Sequence, residues 1–212
     1  MNFQGAIFDM DGTLVDSMWI WEGLAQRFLE KKNVTPPPGL NNQFKNMTFE
    51  SSSAYLAHHF ALEMTPEEIR REWMGMVYHY YGNELFLKQG AFEYLQRLHQ
   101  CGVKLALLTS NFRENCEAFL RRNGIFELFD RILTSDEAGN GKEKPEIYLE
   151  MARKLNVAPE HCMVFEDILI AVQSAKKAGM MVTAVEDDAS LPERDEIKKT
   201  ADRYIVSFQE LL

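Results

Sequence analysis

Cysteine is scarce in this chain of 212 residues: Cys101, Cys116 and Cys162 are odd in number, and none belongs to a Cys-x-x-Cys pair. That argues against a disulfide framework and suits a reducing compartment with buried or incidental thiols. Long apolar runs are missing too, and none comes near the length that spans a bilayer. The N-terminus has no basic stretch ahead of an apolar one, and an acidic pair begins at position 9, which is unlike a secretory signal. Positive charge is short: 23 lysines and arginines stand against 32 aspartates and glutamates, for a net charge of −9. Nucleic-acid phosphates and anionic membrane surfaces require basic patches, so neither is an expected partner. A phosphorylated small molecule stays compatible, because a metal ion and one lysine can supply positive charge locally. His58, His59, His79, His99 and His161 show no metal-ligand spacing and read as surface or core residues. The expectation is a cytoplasmic soluble protein.

Apolar residues make up 46% of the chain, enough for a packed core. The length suits one domain, or one domain carrying a sizeable insertion. The most informative stretch is the first. Ala6-Ile7-Phe8 is a short apolar run without alternation, as expected of a strand buried on both faces of a parallel sheet. It stops at Asp9, Asp11 follows, and Gly12 permits backbone angles that other residues resist. Two carboxylates so close at a strand end are costly to bury unless a cation or hydrogen bonds hold them. The alternatives at this point are a solvated acidic turn and a site for a divalent cation such as magnesium, which prefers oxygen ligands.

From Asp16 to about Lys88 the pattern is helical. Trp19, Ile20, Leu24, Phe28 and Leu29 share one helical face. Val34 to Gly39, with its three prolines, ends that helix. Thr48 opens a second helix. Thr65-Pro66-Glu67-Glu68 predicts the start of a third, with Thr65 as N-cap, Pro66 first in the helix and Glu68 three residues after the cap. Trp73, Met74, Met76, Tyr78, Tyr80 and Tyr81 read either as the core of a small bundle or as a binding surface.

The remainder alternates helix and strand. Helices are predicted over Gly90 to Gln100, Glu114 to Asn123, Pro145 to Leu155 and Ile168 to Ala178. Strands are predicted at Val103–Leu108, Arg131–Thr134, Cys162–Phe165, Met181–Val185 and Tyr204–Val206, with Asp136 to Lys144 a polar loop. Strands separated by such helices imply right-handed crossovers and a parallel sheet. Asp9, Thr109, Lys142 and Asp167 then fall at or just after the carboxyl ends of different strands, where an open parallel sheet binds its ligands.

Phe8-Asp9-Met10-Asp11-Gly12-Thr13-Leu14-Val15-Asp16-Ser17 resembles the first motif, Asp-x-Asp-Gly-Thr, of the haloacid dehalogenase superfamily, in its phosphatase and phosphomutase branch. Leu107 to Asn111 is similar to the second motif. Gly141-Lys142-Glu143-Lys144-Pro145-Glu146-Ile147-Tyr148 resembles the third, with Glu143 in place of its first proline, so that Lys142 is the matching lysine and Lys144 its rival. Val164-Phe165-Glu166-Asp167 resembles the fourth; Ile168 and Ala171 stand where the family has Ser and Gly.

The resemblance implies an α/β fold, a Rossmann-like parallel sheet core flanked by helices, over residues 1–15 and 89–212, with an inserted all-helical cap over 16–88. It implies Asp9 as nucleophile, Asp11 as general acid/base, and Thr109, Ser110, Asn111 and Lys142 as phosphate-binding residues. Asp9, Asp11 and Asp167 are the implied ligands of Mg2+, with Glu166 left open. Such a set makes chemical sense. A carboxylate that attacks phosphorus splits one hard hydrolysis into two easier steps, and phosphoryl transfer mainly needs positioning and charge neutralisation. The implied activity is a magnesium-dependent phosphatase of a phosphorylated small metabolite. A phosphosugar mutase is the near alternative, and a phospho-accepting or binding module the distant one. Mutases of this branch carry a cap arginine for the second phosphate; Phe49 stands at the comparable place, after Asn46-Met47-Thr48, with Lys45 a substitute cation. Loss of that charge favours hydrolysis.

Overall fold

The computed structural model describes residues 3–40, 44, 47–60 and 62–212. The chain divides into two compact units: Met1–Asp16 together with Leu85–Leu212, and Ser17–Glu84. The first strand, β1 (Gly5–Phe8), precedes, among the described residues, the helices α1 (Met18–Lys31), α2 (Phe49–His59) and α3 (Pro66–Asn83) of the second unit. The chain then continues as α4 (Ala91–Gln100), β2 (Lys104–Thr109), α5 (Arg113–Arg122), β3 (Arg131–Thr134), α6 (Ser135–Ala138), α7 (Pro145–Leu155), β4 (Cys162–Glu166), α8 (Leu169–Lys177), β5 (Met181–Val185), α9 (Arg194–Thr200) and β6 (Arg203–Ile205).

The core is an α/β, Rossmann-like unit. Its six-stranded sheet runs in the order β3-β2-β1-β4-β5-β6, and every pairing is parallel. All four residues of β1 are buried, which is why its sequence is apolar without alternation. Successive side chains point to opposite faces. Ile7 joins Val164, Ala106, Tyr148 and Met151 on one face. Phe8 stacks on Phe165 on the other at 4.4 Å between centroids, with Tyr94 and Phe208 against them. The strand order reverses between β1 and β4. In such sheets the ligand crevice lies at that reversal, outside the carboxyl ends of the strands. Phe8 pairs with Phe165, so the residues after them, Asp9 and Glu166, stand level at that point.

Two features differ from expectation. The helical unit ends at Glu84 and not at 88, because Val15 bridges Leu87 and the Lys88 N–H donates to the Leu14 carbonyl at 2.7 Å. Residues 85–88 are thereby tied to the first strand's exit. Within the predicted loop after β3, Ser135–Ala138 forms a helical turn, closed by a capping box between Thr134 and Glu137. The Thr-x-x-Glu spacing favours that turn locally.

The helical unit follows its sequence signals closely. Thr65 and Glu68 form the predicted capping box at the start of α3, with Pro66 in the first turn. Trp73, Val77 and Tyr81 are buried along α3, and Phe28 of α1 meets Trp73 edge-on at 6.0 Å. The aromatic set is thus divided, since Tyr78 is exposed. Phe49 packs on Trp73 with ring centroids 5.0 Å apart. Lys45 and Asn46, from the stretch compared with the mutase arginine, lie outside the described residues. Among the described residues, no helix is long and apolar enough to cross a membrane.

Candidate active site

The site begins where β1 stops. Asp9 leaves the strand still in register, its N–H donating to the Phe165 carbonyl at 3.0 Å. From the loop before α7, Lys142 Nζ reaches Asp9 Oδ1 and also Glu166 Oε1, the latter at 2.6 Å. Asp9 is 5% exposed, Lys142 6%, Glu166 1% and Asp167 2%. Four charged groups are therefore withdrawn from water together, an arrangement that is destabilising unless each charge is matched. One carboxylate oxygen from each of Asp9, Glu166 and Asp167 lies within 4.8 Å of the others.

The electrostatics follow from this crowding. Burial works against the Lys142 charge, yet the carboxylates of Asp9 and Glu166 outweigh it and hold the ammonium above the ordinary lysine range. Burial pushes Glu166 up to about 7, against the pull of Lys142. Burial and then the charges of Asp9 and Glu166 push Asp167 well above the usual aspartate value. Three buried carboxylates face one ammonium, so a divalent cation fits the donor set: hard oxygen ligands, close together and short of positive charge.

Hydrogen bonds aim these groups. Thr13 Oγ1 donates to Asp167 Oδ1 at 3.1 Å, and Ser190 Oγ to Asp167 Oδ2 at 3.4 Å. Tyr148 OH donates to Glu166 Oε1 at 3.3 Å. Gly12 has φ +84°, and a Cβ there would collide with the Asp167 carboxylate. Glycine is needed at that position on both counts. The carbonyl of Gly12 accepts from Lys88 Nζ, which also bonds the Glu186 carbonyl at 2.8 Å and Asp187 Oδ2 at 2.9 Å.

Of the residues marked in the sequence, Asp9, Lys142 and Asp167 converge directly. Lys144 does not join them: its Nζ donates to Asn140 Oδ1 at 3.3 Å on the surface. The carboxylate cluster differs from the expected metal set in one member. Glu166 is in it and the Asp11 side chain is not, because the chain turns at Gly12 and Asp11 Oδ2 accepts from Asn111 Nδ2 at 2.8 Å. At the end of β2, Thr109 is buried and its Oγ1 accepts from the Asn111 N–H at 3.0 Å. Ser110 is exposed, with its hydroxyl 3.1 Å from that of Ser135. Sequence reasoning missed Lys88, Ser190 and Asp187. No local motif marks them, and in the sequence pattern Lys88 falls at the end of the helical insertion. Thr13 and Tyr148 stand inside motifs quoted for other members.

The acidic cluster and its one lysine lie at the reversal of a doubly wound sheet, the place where such sheets bind their ligands. The family model for haloacid dehalogenase-like hydrolases matches residues 6–185, and the chain belongs to that family. It is 29% identical over 202 residues to validoxylamine A 7'-phosphate phosphatase of Streptomyces hygroscopicus subsp. limoneus, covering 93% of each chain. It is 29% identical over 177 residues to a phosphorylated carbohydrates phosphatase of Thermotoga maritima, covering 84% of this chain and 82% of the relative. A crystal structure from Thermotoga maritima, assigned provisionally as a beta-phosphoglucomutase, superposes with a TM-score of 0.82 at 27% identity, over 99% of this chain and 96% of that one.

Proposed function

We propose that this protein is a magnesium-dependent phosphatase of a phosphorylated small metabolite, a sugar phosphate or a similar alcohol phosphate. The observation that carries the reading is the buried Asp9 carboxylate held by Lys142 beside Glu166 and Asp167. The phosphatase names of two relatives support it.

On this reading an Asp9 oxygen attacks phosphorus and the bond from phosphorus to the leaving oxygen breaks. Asp11 gives its proton to that oxygen, and the alcohol departs. Water then attacks the aspartyl phosphate while Asp11 takes back a proton. The bond from Asp9 to phosphorus breaks, restoring the carboxylate and releasing inorganic phosphate. Lys142 neutralises charge on the transferred group, and Thr109, Ser110 and Asn111 at the end of β2 donate to its peripheral oxygens. That last role requires the Asn111 N–H to exchange Thr109 for phosphate. Asp9, Glu166 and Asp167 would hold Mg2+, which supplies charge neutralisation between nucleophile and incoming phosphate. The helical unit serves as the cap that selects substrate. Cytoplasmic residence belongs to the same proposal and agrees with three free cysteines.

Release of inorganic phosphate from a panel of sugar phosphates and nucleotides, with Mg2+ and with chelator, tests the reading. Magnesium-dependent release, with phosphate trapped on Asp9, is expected. Label on Asp11 or on a serine would overturn the assignment, and lasting phosphorylation by acetyl phosphate without turnover would indicate a phospho-accepting module. The likeness to a provisional beta-phosphoglucomutase keeps the mutase as a second reading. Phe49, packed on Trp73, supplies no charge for a second phosphate, so free phosphate, and not an isomerised sugar phosphate, is the expected product.

A further inference from the structure

The turn after β2 and the first turn of α5 carry two amides in series, Asn111 and Asn115, and the series ends on Asp11. Asn111 Nδ2 donates to Asp11 Oδ2 at 2.8 Å. Which end of the Asn111 amide faces Asp11 is decided by its other neighbours. The Phe112 N–H lies 2.7 Å from Asn111 Oδ1. A backbone N–H can only donate, so the atom it meets is the oxygen, and the NH2 group is turned to Asp11. Asn115, one turn into α5, donates its Nδ2 to the same oxygen at 2.9 Å. Asn111 is 6% exposed and Asn115 1%.

Asn115 pays for this. Its Oδ1 is buried and has no hydrogen-bond partner among the described residues. Flipping the amide would set two acceptors face to face at Asn111 Oδ1, so the orphaned oxygen is forced by the bond to Asn111. A buried acceptor without a partner is destabilising and rare. An aliphatic side chain on α5 would avoid it, and would also release Asn111.

We propose that Asn111 is the positioning residue for the acid/base carboxylate of Asp11, and that Asn115 locks Asn111 in the orientation that does this. The inference rests on the reading of Asp11 as acid/base. A neutral amide donates to a carboxylate oxygen and equally to the carbonyl oxygen of the protonated acid. The bond therefore lasts through both halves of the proton cycle. It keeps Asp11 directed at the end of β2, away from the cluster of Asp9, Glu166 and Asp167, with whose negative charges it would otherwise compete.

Asn111→Asp is the sharpest variant. It keeps an oxygen for the Phe112 N–H and replaces the donor with a second carboxylate. Turnover of a sugar phosphate, whose alcohol needs a proton to leave, should fall by roughly 10- to 100-fold, the size known for partners that orient metal-ligating carboxylates. Turnover of a nitrophenyl phosphate, whose leaving group needs none, should fall less, by only what the added charge beside the phosphate costs both substrates. Asn115→Leu removes the orphaned oxygen with the lock; it should melt no lower than the parent and show the same selective loss, smaller in size. Asp11→Asn combined with Asn111→Asp should be slower on the sugar phosphate than Asp11→Asn alone by no more than Asn111→Asp loses on the nitrophenyl phosphate. Equal loss on both substrates, or an unchanged ratio of the two rates in Asn111→Asp and Asn115→Leu, would overturn the proposal. Should Asn111→Asp fold poorly, Asn115→Leu decides. If Asp11→Asn itself shows no selectivity between the two substrates, it is the acid/base reading that fails. Selective loss in Asp11→Asn without it in the asparagine variants sinks the positioning role alone.

Discussion

The sheet core and the helical unit place their polar side chains in opposite ways. In the core, Asp9, Glu166 and Asp167 at strand ends and Lys142 from the loop before α7 are buried against one another. In the helical unit the interior belongs to Phe28, Trp73, Val77 and Tyr81, while its ion pairs, such as Lys32 with Glu72 at 2.6 Å, lie towards solvent. Buried charge seldom stabilises a fold, whereas buried aromatic surface does. The core therefore gives up stability to hold a reactive cluster, and the helical unit uses its interior to stay folded. A strand end paired on both sides aims its side chain rigidly, which suits the first task. Amphipathic helices need only cover an apolar face, which suits the second.

If that contrast is right, variants in the two units should fail differently. Asp9→Asn should reduce phosphate release by about 10⁶-fold, the size seen when a nucleophile is removed. Its melting temperature should not fall, because one of three crowded carboxylates is neutralised and Lys142 keeps Glu166. A large loss of stability in that variant would break the comparison. Trp73→Ala should do the reverse, destabilising the helical unit by about 3–5 kcal/mol through the cavity it leaves, read by denaturant unfolding. Trp73→Phe should be much milder, since the indole Nε1 is buried without a hydrogen-bond partner among the described residues. Thr65→Ala removes the capping box of α3 and should cost about 1 kcal/mol, seen as a lowered melting temperature.

The smallest effect is expected at a surface pair of the core. The side-chain hydrogen bond from Arg113 holds Glu137 down to about 2. A carboxylate lowered in this way stabilises the fold fully above its ordinary value near 4.5 and loses that contribution as pH falls through 2. Both side chains are more than a third exposed in part, at 36% and 38%, so the contribution is at most about 1 kcal/mol. The stability gap between the parent and Glu137→Gln should be constant near neutrality and should narrow below pH 4.5. A gap that widens on acidification would show that exposed pairs in the core do not follow the rule drawn from the helical unit.

Much of this was legible in the chain itself. Ala6-Ile7-Phe8 announced a central strand, Thr65-Pro66-Glu67-Glu68 announced a capped helix, and the polar residues after the strands announced the crevice. These signals work over a few residues, through periodicity, capping and turn chemistry. Asp9, Asp11 and Asp167 could be picked out for that reason. Tertiary structure alone decided the rest: that Lys142 and not Lys144 reaches Asp9, that Glu166 joins the carboxylates, that the Asn111 side chain takes Asp11, and that Lys88 bonds the Gly12 carbonyl. Lys142 and Asp9 are 133 residues apart, and Thr13 and Asp167 are 154 apart. Contacts of that span depend on which strands lie side by side and in what register, and no spacing within a single segment carries that information.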